Sequence, residues 1–169
     1  MLPSSILPIR VLFVCLGNIC RSPLAEGIFK KMVKQKGLSD SLVCDSAGTS
    51  DYHVGEGPDK RTINNAKMNG IALEHKAQQI DLQDFMNFDY IVVMDAKNHR
   101  DVKLLKEQVP QPRAKVLLMR HFDPEEIRDT LDVPDPYFGG ESGFQKVYGI
   151  LYRSVLNFID FLEKEHLKK

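Results

Sequence analysis

Four short apolar runs constrain this chain most: Val11 to Val14, Leu42 to Ala47, Tyr90 to Met94 and Val116 to Met119. Each is too short for a buried helix and has turn residues near its ends, so each reads as a strand buried on both faces. Helical periodicity fills the gaps. After Pro23, apolar residues recur at Leu24, Ala25, Ile28, Phe29, Met32 and Val33, with Gly37 as the stop. Asp59 to Asn69 and Ala96 to Gln108 are shorter helix candidates, each lying between two strands. Phe144, Val147, Leu151, Val155, Phe158 and Leu162 form one stripe at three- and four-residue spacing, which predicts a long amphipathic C-terminal helix.

Strand-helix alternation of this kind predicts an α/β fold with a parallel sheet between helices, joined by right-handed crossovers. A chain of 169 residues without repeats, low-complexity tracts or a composition break is expected to form one domain over residues 1–169, with a core from about 9 to 165. The longest irregular stretch is Asp123 to Gly143, rich in Pro, Gly and Asp. Loops of that length inside a compact domain are often functional.

Lys+Arg and Asp+Glu both number 23, so the formal charge is zero. That argues against a bulk nucleic-acid or membrane-surface binder. Three cysteines, Cys15, Cys20 and Cys44, are too few and too odd in number for a secreted disulfide scaffold. The opening MLPSSILPIR has no basic leader and is broken by Pro3 and Pro8, and no apolar run approaches the roughly 20 residues of a membrane span. A cytoplasmic setting is therefore expected, where a thiol on a turn persists.

The stretch VCLGNICRSP joins the first predicted strand to the first predicted helix, and ligands of such folds bind beyond the carboxyl ends of the strands. Taken alone, Cys15 reads as a small buried hydrophobe. Gly17, Asn18, Arg21 and Ser22 at these offsets change that reading. Five residues separate thiol from guanidinium, enough for one loop to curl round a small anion. Backbone amides from Leu16 through Ile19 and Cys20 to Arg21 can converge on it, and the helix N-terminus adds its positive dipole end. Arg21 can grip two phosphate oxygens through its planar fork. The same field favours the thiolate, the attacking form of a cysteine, and Ser22 can donate its hydroxyl to the sulfur. Asn18 suits left-handed backbone angles. The nucleotide-binding pattern G-x-x-x-x-G-K-[ST] is absent.

The stretch resembles the C-x5-R-S signature loop of the low-molecular-weight protein tyrosine phosphatases, near the N-terminus as in that family. DSAGTSDYHVG, NFDYIVVMD and VPDPYFGG extend the resemblance over most of the chain. It implies a single-domain three-layer sandwich, a four-stranded parallel sheet flanked by helices (phosphotyrosine phosphatase I-like). It further implies hydrolysis of phosphotyrosine and small aryl phosphate monoesters through a phosphocysteine, with no cofactor. Phosphotyrosine-containing proteins are then the expected partners, and phosphate or other oxyanions the expected inhibitors.

Protonation of the leaving phenoxide needs a carboxylic acid above the loop. The resemblance selects Asp135. Read without it, Asp135 before Pro136 is a turn residue, and Asp129 and Asp132 are rivals. Tyr52 and Tyr137 match positions lining the family's cleft, although a loop tyrosine can equally pack locally. The family often carries a second tyrosine where this chain has Phe138, so control by phosphorylation there is lost. Asn18, Ser46 and His75 match a buried network supporting the loop. Cys20 has two readings: a redox partner that shuts off Cys15 by a reversible disulfide, as in family members with this second cysteine, or a buried apolar filler. His53, His99, His121 and His166 form no metal-ligand pattern, and no metal site is expected.

Three rival functions remain. Thioredoxin-linked arsenate reduction needs relay cysteines, and residues 72–95 contain none. Related arginine phosphatases favour Thr where this chain has apolar Ile19. A non-catalytic phosphotyrosine-binding module would have lost the nucleophile, the arginine or the acid, and all three residue types are here.

Overall fold

A computed structural model describes residues 7–125 and 130–167. Its sheet is built from β1 (Ile9–Cys15), β2 (Leu42–Gly48), β3 (Tyr90–Val93) and β4 (Lys115–Leu118). All pairings are parallel and the strand order is β2-β1-β3-β4. The sheet is therefore doubly wound, with β1 flanked by β2 and β3. A switch in winding direction leaves a crevice at the carboxyl ends of the central strands, and Cys15 is the last residue of β1.

Helices α1 (Arg21–Gln35), α2 (Lys60–Met68), α4 (Ala96–Lys106) and α5 (Glu141–Leu162) are the four that the periodicity predicts. Alternation along β1 assigns the layers. Val11 and Phe13 face α1 and α5, packing with Leu24, Ile28, Phe29, Leu151, Val155 and Phe158. Leu12 and Val14 face the other way, onto Phe85, Phe88 and Val102. The expected three-layer α/β sandwich is thus observed. Phe13, Phe29 and Phe158 meet at ring-centroid distances of 5.5–6.4 Å, anchoring the α1–α5 side by aromatic packing.

Observed boundaries differ from the sequence expectations for local reasons. Met119, expected at the end of β4, opens a tight 3-10 turn, Met119–Phe122. The C-terminal helix starts at Glu141, inside the stretch expected to be irregular, because its first inward position is Phe144 and Gly140 serves as its N-cap. Asp59 is an N-cap rather than a helical residue, its carboxylate accepting the Arg61 amide. A one-turn helix, α3 (Asp84–Asn87), has no counterpart in the sequence reading. Among the described residues no helix is long and apolar enough to cross a membrane. Asp129, one rival for the acid, lies outside the described residues.

Candidate active site

The loop from Cys15 to Arg21 curls at the carboxyl end of β1. Two backbone features shape it. Asn18 has φ 58°, the left-handed region that asparagine tolerates better than most residues. Gly48, paired with Cys15 in the sheet, sits directly beneath. A Cβ on Gly48 would lie 2.7 Å from the Leu16 carbonyl oxygen and 3.2 Å from the Asn18 nitrogen. The curl closes only because the neighbouring strand ends on a residue without a side chain. Leu16 fixes the other flank, its carbonyl accepting the Ser50 amide at 3.0 Å and the Ser50 hydroxyl at 2.9 Å.

The loop's interior is polar and interlocked. Asn18 is fully buried. Its amide Nδ2 donates to Ser22 Oγ at 2.8 Å and to Ser46 Oγ at 3.0 Å. Its Oδ1 accepts from the Gln78 amide at 3.0 Å and faces His75 Nε2 at 2.7 Å, which assigns a proton to that ring nitrogen. The Ser46 hydroxyl donates a hydrogen bond to buried Glu26 Oε1 at 2.7 Å. With Asn18 donating into Ser22 Oγ, the Ser22 hydroxyl hydrogen can turn to the Cys15 sulfur 3.0 Å away or to the more distant Ala47 carbonyl at 3.5 Å. The Asn18 backbone N–H also points at that sulfur, at 3.3 Å. A hydroxyl and a backbone amide thus converge on one buried sulfur.

Arg21 is 3 % exposed and opens α1. Its Nη1 donates to Asp95 at 2.7 Å and to the Val133 carbonyl at 2.9 Å, which fixes the guanidinium plane. Burial works against its charge, while the Cys15 sulfur and the Asp95 carboxylate raise its pKa, and the balance lies above the ordinary arginine value. Asp95 is a residue the sequence reading passed over. It caps α4 by accepting the Asn98 amide at 2.7 Å, and the signal available was an acidic residue between an apolar strand and a helix. The N-terminus of α1 has no side-chain cap, which leaves its first amides without an intrahelical partner beside Arg21.

A cavity of about 220 Å³ opens over the loop. Cys15, Leu16, Gly17, Ile19, Cys20 and Arg21 form its floor and one side; Tyr52, Asp135 and Tyr137 form the rest of the expected wall. His53 and Phe138 complete it. His53, paired with Glu56 through Nδ1, is a wall residue the sequence reading missed, because nothing in the local pattern separates it from a surface histidine. Asn18, Ser22, Ser46 and His75 lie beneath the floor rather than in the cavity. Asp135 Oδ2 stands 3.6 Å from Arg21 Nη2, while Asp135 Oδ1 holds the Tyr137 amide at 3.0 Å. Its rival Asp132 is turned away, accepting the Ala96 amide at 2.8 Å.

Cys20 is buried beside Ile19, Ala77 and Phe144. Burial pushes its thiol up to about 12. Glu26, Asp45 and His75 bring potential metal-ligand atoms within 4.8 Å of one another. Their oxygens are already engaged: Glu26 by Ser46 and Lys30, Asp45 by the Ser46 amide and Gln78. This cluster is a hydrogen-bonded support for the loop.

The family model for low molecular weight phosphotyrosine protein phosphatase matches residues 10–168. The chain belongs to that family. The low molecular weight phosphotyrosine protein phosphatase of Sus scrofa is 45 % identical over 150 residues, spanning 89 % of this chain and 93 % of the relative. Among solved structures, a protein tyrosine phosphatase from Entamoeba histolytica with Hepes in its active site superimposes with a TM-score of 0.85. It is 41 % identical and covers 94 % of this chain and 99 % of its own. A drosophila arginine phosphatase superimposes equally well, with a TM-score of 0.86, 34 % identity and coverage of 92 % and 98 %. Fold similarity alone therefore does not separate an aryl phosphate from a phosphoguanidine for this phosphatase; the cavity walls must.

Proposed function

We propose that residues 1–169 act as one phosphatase domain that hydrolyses phosphotyrosine in proteins, without a cofactor, in two displacement steps at Cys15. The supporting observation is the buried Cys15 sulfur, held by Ser22 Oγ at 3.0 Å and the Asn18 amide at 3.3 Å, at the bottom of a cavity walled by Arg21 and Asp135. In the first step the Cys15 thiolate attacks phosphorus and a P–S bond forms. The ester P–O bond breaks, and protonated Asp135 gives its proton to the departing phenolic oxygen. In the second step the Asp135 carboxylate takes a proton from water whose oxygen attacks phosphorus. The P–S bond breaks, and inorganic phosphate and thiolate are released. Arg21 and the loop amides hold the equatorial oxygens, and their charge is the main source of transition-state stabilisation. Ser22 stabilises the sulfur both as ground state and as leaving group.

Substrate choice follows from the walls. A phosphoryl group at Cys15 must project its ester past Tyr52, Tyr137 and Phe138, whose aromatic faces suit a phenyl ring. Ile19 is nearly buried in that wall and offers no acceptor for the N–H groups of a phosphoguanidine. Free phosphate and similar oxyanions compete for the same cradle. Cys20 lines the same cavity as Cys15, which supports the reading of it as the partner that converts a peroxide-formed Cys15 sulfenic acid to a disulfide with release of water. The burial that raises its pKa disfavours the thiolate that such a step uses. Hydrolysis of phosphotyrosine, phosphoarginine and phosphoserine peptides, with arsenate reduction alongside, tests the reading. The expected order places phosphotyrosine first by a wide margin; preference for phosphoarginine, or reduction of arsenate, would replace it.

A further inference from the structure

Asp135 lies in the irregular segment before α5, which starts at Glu141, and Arg21 holds the chain just ahead of it through the Val133 carbonyl at 2.9 Å. The Asp135 carboxylate contacts its own Tyr137 amide and, more distantly, Arg21. Gly139 donates to the Pro136 carbonyl at 2.9 Å. Arg21 thus holds the chain at Val133 and Asp135, but these bonds do not tie the residues after Asp135 to the phosphate loop. A second attachment, for that part of the turn, comes from α2.

Arg61 is the link. Its guanidinium lies over the Tyr137 ring, with Cζ 5.5 Å from the centroid, and over the Phe144 ring at 4.8 Å. Its Nη1 points to the Gly139 carbonyl at 3.4 Å. The same guanidinium is clasped by Asp59 through Nε at 3.0 Å and Nη2 at 2.9 Å, a two-pronged pairing. Asp59 in turn donates its backbone N–H to the carbonyl of Ile19, inside the phosphate loop, at 2.8 Å. Phe144 packs on Ile19 and Cys20 from behind. One side chain thus ties the turn carrying Asp135 to the loop carrying Cys15, through stacking on one side and a carboxylate fork on the other.

We infer that Arg61, set by Asp59, is a positioning residue for the leaving-group acid: it holds the Asp135 turn in register with Cys15. The inference rests on the assignment of Asp135 above. Arginine is required because only its planar fork can pair with Asp59 along one edge while its face covers Tyr137. Lysine keeps the charge and loses both geometries.

The test compares phenyl phosphate, whose leaving group needs a proton, with p-nitrophenyl phosphate, whose leaving group needs little help. A structural role for Arg61 would lower both rates together. Loss of acid positioning lowers kcat for phenyl phosphate selectively, because a misplaced catalytic group costs on the order of tenfold to a hundredfold. For Arg61→Ala we expect that loss on phenyl phosphate and less than about threefold on p-nitrophenyl phosphate, with Arg61→Lys between it and the parent. In an Asp135→Ala background, Arg61→Ala should add nothing to the discrimination. Asp135→Ala measured alone separates the two ideas. If it discriminates between the esters and neither Arg61 variant does, the positioning role is refuted and the acid assignment stands. If Asp135→Ala itself does not discriminate, the acid assignment fails, and this inference with it. Arg61 is partly exposed; should Arg61→Ala not fold, Arg61→Lys and Asp59→Asn carry the same comparison.

Discussion

Gly48→Ala is the smallest change that should damage the site without touching a reacting group. A methyl at this position meets the Leu16 carbonyl oxygen at 2.7 Å, the Asn18 nitrogen at 3.2 Å and the Gly17 carbonyl carbon at 3.2 Å. All three neighbours are backbone, so no side-chain rotation relieves the clash. Either β2 or the phosphate loop must shift by several tenths of an ångström. Overpacking of this kind costs about 1–3 kcal/mol. For a domain of this size that corresponds to a Tm lowered by roughly 2–12 °C. If the loop yields, the Asn18 amide and Ser22 hydroxyl leave the Cys15 sulfur, and kcat falls by about tenfold to a hundredfold. Gly57→Ala is the control, since a methyl there meets nothing within 4 Å and its φ is not positive. Urea titration and p-nitrophenyl phosphate turnover, run on both variants, give the answer. A Gly48→Ala protein with parental stability and parental kcat would refute the claim that the curl depends on this contact.

Other expectations follow from the same contacts. Arg21→Lys should lower kcat/KM by about a hundredfold, because lysine cannot hold Asp95 and the Val133 carbonyl while presenting a fork to phosphate; steady-state kinetics checks this. Folding stability should fall at high pH through Cys20: unfolded, its thiol ionises near 9, whereas folded it holds its proton to about 12. Across that window the folded state binds the extra proton, so this group's contribution is complete below pH 9 and is lost as pH rises to about 12. The slope approaches about 1.4 kcal/mol per pH unit; Cys20→Ala should flatten it in urea titrations between pH 8 and 11. Asn18→Ala should cost about 2–4 kcal/mol, the sum of several buried hydrogen bonds and the strain at φ 58°, with loss of turnover in the same sample.

The strands and the four longer helices were legible in the sequence because burial on both faces of a parallel sheet forces continuous apolar runs, and one-sided burial forces stripes. The Cys15–Arg21 loop was legible because all its chemistry falls within seven consecutive residues. Asp135 was legible only through resemblance to a family. Its position over Cys15 depends on contacts spanning more than a hundred residues, and local spacing could not distinguish it from Asp132. Asp95 and Arg61 were missed for the same reason. Asp95 meets Arg21 across 74 residues and Arg61 meets Gly139 across 78, so each looked like an ordinary helix-start charge. The one-turn helix Asp84–Asn87 is too short to show a period at all.

The central claim is that the Cys15 sulfur carries the phosphoryl group between the two steps. Asp135→Ala should still be phosphorylated readily by p-nitrophenyl phosphate, since its leaving group needs little protonation, but should hydrolyse the intermediate slowly. Acid quench during turnover, followed by peptide mass analysis, reads the site directly. The account predicts one added PO3 group on the peptide carrying Cys15, absent in Cys15→Ser. Turnover with no covalent phosphate, or with the label on another residue, would contradict it.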